Sequence, residues 1–125
     1  MKLILKTLLL ILTISLVNCK KEDKNLPPNI STLEVTEITA TTAVCGGEIK
    51  IDELYYYDGF KGICYSTNPN PTIDDDRFPA LEDEKLFSCK MINLSPNTKY
   101  YVRAFVGNGR GVKHGEQKEF ITLAE

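Results

Sequence analysis

From Ile30 onward the chain never runs far without a turn former, and between those breaks its apolar residues alternate. The clearest case is Thr98–Val106, which reads TKYYVRAFV. Tyr100, Val102, Ala104 and Val106 fall on one side of an extended backbone, and Tyr101, Arg103 and Phe105 on the other. Successive side chains of a strand point to opposite faces, so this pattern predicts a strand with one face in a core. Similar stretches are Ser31–Ile38, Thr42–Ile49, Phe60–Ser66, Leu86–Leu94 and Val112–Leu123, with Phe120 the core residue of the last. Gly46-Gly47 interrupts the second and predicts a bulge or a close backbone approach there. Between the stretches lie Thr67–Asp76 with Pro69 and Pro71, the Ser95-Pro96-Asn97 turn, and the tight Gly107–Gly111 turn. No segment after residue 30 repeats its apolar residues at helical spacing. About seven short strands, spaced roughly ten residues apart, predict an all-β, antiparallel sandwich.

The first 18 residues have a different character. Lys2 and Lys6 precede an apolar run, Leu8–Val17. That run is too short to cross a bilayer as a helix, which takes about 20 residues. A basic start, a short apolar centre and an abrupt polar shift are the marks of a secretory signal peptide. The alternative is a buried helix, but Leu3–Val17 is apolar almost all round and nothing else in the chain could cover it. Of 125 residues in all, 107 remain after residue 18. Two lysines leave with the signal, so the net charge moves from −2 to −4. This is one small domain. Apart from the short run after Cys19 its basic residues form no block, so nucleic-acid binding is not expected.

Leu16-Val17-Asn18-Cys19 resembles a bacterial lipobox, with Asn18 where that family carries Gly, Ala or Ser. The resemblance implies that the Cys19 thiol is acylated and becomes the mature terminus. Two or three acyl chains would hold the protein on a membrane, since stable anchoring takes more than one. Lys21-Glu22-Asp23 resembles the surface-export signal of Bacteroidetes lipoproteins, a lysine followed by two acidic residues. A plain solvated linker is its other reading. Residues 19–27 would then be a charged tether stiffened by its proline, and residues 28–125 the domain. The implied location is the outer membrane, surface-exposed, with a periplasm-facing position as the alternative.

Leu94-Ser95-Pro96-Asn97-Thr98-Lys99-Tyr100 resembles the corner of a fibronectin type III domain, Leu-x-Pro-x-Thr-x-Tyr. The resemblance implies that Leu94 and Pro96 shape the turn and that the Tyr100 hydroxyl bonds back to its backbone. Lys61–Ser66 with Thr67–Thr72, Tyr100–Phe105 and Gly111–Gly115 match a subgroup common in Bacteroidetes lipoproteins. Together they span roughly residues 28–123 and imply a seven-stranded, immunoglobulin-like sandwich. Such modules serve as spacers, adhesion units, or protein- and carbohydrate-binding accessories.

Residues that could carry chemistry are few. Cys45, Cys64 and Cys89 are an odd set; a Cys45–Cys89 disulfide is one reading and free buried thiols the favoured one. A nucleophilic cysteine needs a base, and His114, the single histidine, is expected near the start of the last strand and exposed. Asp74-Asp75-Asp76 lacks the alternation and glycine of a calcium loop. Glu82-Asp83-Glu84 reads as another solvated acidic stretch. Neither an enzyme nor a cofactor is expected. The expected partners are the membrane, through the N-terminal lipid, and a protein or glycan. Aromatic residues that could touch such a ligand are Tyr55, Tyr56 and Tyr57 in the turn before the third strand, and outward-facing Tyr101 and Phe105. For the latter two, covering a neighbouring strand is the plainer role. Asn108-Gly109-Arg110 reads as a tight hairpin.

Overall fold

The computed structural model describes residues 26–50, 59–81 and 84–125. Among them eight strands are formed and no helix. They are β1 (Asn29–Thr32), β2 (Ala43–Lys50), β3 (Phe60–Ser66), β4 (Asp76–Pro79), β5 (Leu86–Met91), β6 (Lys99–Asn108), β7 (Gly111–His114) and β8 (Lys118–Ile121). One sheet runs β1-β2-β5. The other runs β4-β3-β6, with β7 and β8 both paired to β6. Every strand pair is antiparallel.

The two sheets close on the alternating residues. Ala43, Cys45 and Ile49 of β2 meet Phe87, Cys89 and Met91 of β5 in one layer. Ile63 and Tyr65 of β3, the even-numbered residues from Tyr100 to Val106, and Phe120 of β8 face them. Burying each such Val, Ile, Phe or Met side chain contributes about 1.5–3 kcal/mol, which is what a two-sheet fold of this size depends on. Gly46-Gly47 forms no bulge, because β2 and β5 stay in continuous register from Ala43↔Met91 to Glu48↔Leu86. The close approach is the correct reading: a Cβ on Gly47 would lie 2.7 Å from that of Ala104 and 2.8 Å from the Phe87 ring.

Three boundaries differ from the sequence pattern. The first strand is laddered only over Asn29–Thr32, and afterwards a single bridge joins Thr36 to Val44. At Thr32 the chain turns its bonds to the opposite sheet. Its N–H donates to Glu116 Oε1 at 2.6 Å, and its hydroxyl accepts the Ala104 N–H at 3.0 Å. Second, the stretch expected as one final strand is two, β7 and β8. Both lie along β6, and Gly115–Gln117 bulges between them. Gly115 still donates to the Ala104 carbonyl at 2.8 Å, but it packs so closely on Thr32 that a Cβ there would sit 2.4 Å from the Thr32 hydroxyl. Third, β4 has no counterpart in the sequence pattern. It is short, mostly exposed, and held by pairing with β3 from Gly62↔Pro79 to Tyr65↔Asp76.

Candidate functional site

The corner is tied by both hydrogen bonds and ring contacts. Tyr100 accepts the Ser95 N–H on its hydroxyl at 2.8 Å, five residues back along the chain. Leu94 beneath the turn is buried and Pro96 half-buried. Asn97 takes a positive φ of 50°, a left-handed conformation that asparagine tolerates well. Buried Thr122 ties the turn to the last strand: its hydroxyl donates to the Ser95 carbonyl at 2.6 Å and accepts the Thr98 N–H at 2.9 Å. The Tyr100 ring stacks on Phe120 with centroids 5.7 Å apart and meets Tyr65 edge-on at 6.3 Å. These partners make the corner a structural element.

The outer face of the larger sheet holds the aromatic candidates. Tyr101 and Phe105 both point away from the core, yet their surroundings differ. Phe105 is only 2% exposed. Its ring lies 6.2 Å from that of Phe60, and Ile73, Arg77 and Pro79 join these two around an open cleft of about 340 Å3. The Thr67–Asp75 connection folds across this face and brings buried Pro71 onto the sheet. Arg103 Nε donates to the Pro71 carbonyl at 2.8 Å, and the Cys64 thiol reaches the same oxygen at 3.5 Å. Phe105 is therefore covered by its own chain and offers a ligand almost no surface. This corrects its place among the contact candidates.

Tyr101 remains half-exposed. The Lys99 ammonium sits 5.3 Å from its ring centroid and 3.2 Å from Glu119 Oε2. Register places Ile121 opposite Lys99 and Glu119 opposite Tyr101. The result is an aromatic face flanked by both charges and an exposed apolar side chain. An exposed ion pair such as Lys99–Glu119 is screened by water, so it orients these groups more than it stabilises the fold. Tyr55, Tyr56, Tyr57, Cys19, Lys21, Glu22 and Asp23 lie outside the described residues.

The chemistry-bearing residues come out as follows. Cys45, Cys64 and Cys89 are free and buried. Cys45 and Cys89 are cross-strand partners, but their sulfurs are directed to different carbonyls, Leu33 at 3.4 Å and Phe78 at 3.8 Å. Burial pushes the Cys45 thiol up to about 12 and the Cys64 thiol to about 11, the latter against the pull of nearby Arg103. The thiolate is the nucleophile, so both thiols are inert near neutral pH. His114 is half-buried rather than exposed, because it lies on β7 opposite Phe105. Its Nε2 is enclosed without a hydrogen-bond partner. Burial and then Arg103 lower its pKa.

Asp75 is used locally, its Oδ2 accepting the Thr72 N–H at 2.8 Å. Asp74, Asp75 and Asp76 line an open, polar hollow of about 400 Å3 with Tyr65, Ser66, Thr67 and Tyr100. Among the described residues no cluster of three His, Cys, Asp or Glu side chains is placed to hold a metal ion. Asn108 and Arg110 form the expected hairpin turn, with the Arg110 N–H donating to Asn108 Oδ1 at 2.8 Å.

The fold class these features define is the fibronectin type III-like sandwich. The solution structure of the sensor domain of the anti-sigma factor RsgI4 from Pseudobacteroides cellulosolvens superposes with a TM-score of 0.55 at 22% identity, over 78% of this chain and 76% of that one. A fibronectin type III domain from the human KIAA0970 protein gives a TM-score of 0.54 at 16% identity, over 77% and 74%. That of human fibronectin type III domain containing protein 3 gives 0.52 at 16% identity, over 86% and 94%. No protein-family model matches the sequence, and no curated protein matches it.

Proposed function

We propose that this chain is a lipid-anchored protein of the bacterial cell envelope whose single fibronectin type III-like module mediates a protein or carbohydrate interaction without catalysis. The observation that carries the interaction is the Tyr101 face. An aromatic ring flanked by Lys99, Glu119 and Ile121 combines apolar contact area with hydrogen-bonding groups, a mixture that suits a sugar ring or a protein side chain. Tyr55, Tyr56 and Tyr57 remain further contact candidates on sequence grounds. The lipobox-like Leu16–Cys19 supports anchoring, and Lys21-Glu22-Asp23 supports an outer, surface-facing position on a Bacteroidetes-type outer membrane. The raised pKa values of Cys45 and Cys64 speak against thiol catalysis.

The test is retention of a partner on intact cells that display the full chain. Cross-linked proteins and bound glycans are compared between the parent and Tyr101→Ala. Loss of a retained species with Tyr101→Ala is expected, while the thermal midpoint stays close to that of the parent. Equal retention by both would remove this face from the account.

A second reading, a structural spacer or subunit of an envelope complex, rests on the chain's two exits. Asn29 pairs with Lys50 at one end of the sandwich. At the other end the Leu123 N–H donates to Thr39 and its carbonyl accepts the Asn97 N–H. The chain thus enters and leaves at opposite ends, as a spacer requires. A stable co-purifying envelope partner that survives Tyr101→Ala would favour it.

A further inference from the structure

The described large apolar side chains that stay exposed fall into two groups. Leu26, Phe60, Leu81 and Leu86 form one, and Ile92, Ile121 and Leu123 the other. Strand register shows what unites the first group. Asn29↔Lys50, Leu86↔Glu48, Phe60↔Gly107 and Pro79↔Gly62 are all partners at a single end of the sandwich. Leu81 follows Pro79 in the connection between β4 and β5 and is 91% exposed. Leu26 precedes β1 at the same end, where buried Pro27 and Pro28 hold the incoming chain against the domain. Four apolar residues distant in sequence therefore stand around the end that the N-terminal segment enters, Leu86 on the outer face of one sheet and Phe60 on the outer face of the other.

We infer that this end of the sandwich, led by Leu81 and Leu86 with Leu26 and Phe60, is a lipid-contacting surface that rests on the membrane holding Cys19. The inference depends on the anchoring proposed above. Leu26 stands seven positions after Cys19, and an extended chain spans at most about 3.6 Å per residue, so this end stays within about 25 Å of the lipid. Single exposed leucines bind a bilayer too weakly to act from solution. A short tether makes the same contact intramolecular, at an effective concentration in the millimolar range.

Charge does not drive the contact. Lys50 and Lys113 stand at this end, but Lys50 is paired with Glu48 at 3.1 Å and Glu84 lies just before β5. The docking should therefore be insensitive to salt, unlike that of a basic patch. Docked this way, the domain turns the opposite end, with Ile92 and Leu123, away from the membrane. The flank carrying Tyr101 stays accessible.

The chain contains no tryptophan, so one can be placed as a unique probe. Full-length, acylated Leu81→Trp and Leu86→Trp proteins are reconstituted into phosphatidylcholine vesicles with and without brominated acyl chains. Leu123→Trp is the control at the far end. Blue-shifted emission, quenched by bromine, is expected for Leu81→Trp and Leu86→Trp and absent for Leu123→Trp, at both low and high salt. Leu81→Trp and Leu86→Trp proteins that float with the vesicles yet emit as in buffer would overturn the docking and leave anchoring intact. A parent chain that does not float would overturn both. A blue shift without bromine quenching would place a second protein copy on this end and overturn the lipid assignment, as would equal quenching of all three probes.

Discussion

Phe87 and Phe105 are the same residue type with the same 2% exposure, yet they are buried by different means. Phe87 lies between the sheets, against Gly47 and the Ala104 side of β6, where strands on both layers enclose it. Phe105 lies on the far side of β6, closed in by Phe60, Ile73, Arg77 and Pro79 beside an open cleft. One is covered by the alternation that builds the fold, the other by side chains of β3 and β4 on the outer face of the same sheet together with Ile73 of the connection that crosses it. Equal burial therefore does not mean equal contribution. The cost of removing a side chain depends on how far its site can collapse or admit water.

The sharpest way to break that comparison is to truncate both rings. Phe87→Ala should lower stability by about 3–5 kcal/mol, the range for a phenylalanine lost from a closed core. Phe105→Ala should cost about 2 kcal/mol, because the adjoining cleft lets its cover settle or solvent enter. Urea unfolding of the two variants measures the difference. Equal losses would mean that the outer cover of Phe60, Ile73, Arg77 and Pro79 is as rigid as the core between the sheets.

A smaller effect is expected at the corner. Tyr100→Phe keeps the ring between Phe120 and Tyr65 but removes the oxygen that accepts the Ser95 N–H. The expected loss is about 1 kcal/mol by the same unfolding measurement, the usual size for one hydrogen bond. No change would assign the corner's stability to ring packing alone.

The smallest effect concerns His114, on the same face as Phe105. Burial and Arg103 hold its pKa below 6.5, so the folded chain binds that proton more weakly than the unfolded chain. Its contribution to stability is therefore fully present above pH 6.5 and is lost as the pH falls below that toward the lower folded value. The drop in Tm between pH 7.5 and pH 5 should be smaller for His114→Gln than for the parent.

The contrast between the two faces also marks how much is legible in the sequence. The inner face of β6 is readable because period-two alternation is a direct projection of strand geometry. The corner is readable because Leu94, Pro96 and Tyr100 recur at the spacing of a known turn. The cover on the outer face is not, since Pro71 acts through a carbonyl that meets Arg103 and Cys64 across the fold. Residue types alone carry no record of such a contact. Asp76–Pro79 is hidden for a related reason: charge and proline argue against a strand, and β3 supplies its pairing. The break at Gly115–Gln117 depends on Thr32, which lies more than eighty positions earlier. Of the contact candidates, Tyr101 stands on the outer face as its parity indicates, whereas Phe105 points outward by the same parity and lies covered.

Anchoring at Cys19 underlies both the proposed envelope role and the membrane-facing end, and one measurement addresses it directly. Cells expressing the parent or Cys19→Ser are grown with a clickable fatty-acid probe, and the chain is then recovered and read for label. Label on the parent and none on Cys19→Ser is the expected result. Equal labelling of Cys19→Ser, or a parent that carries no label, would contradict it.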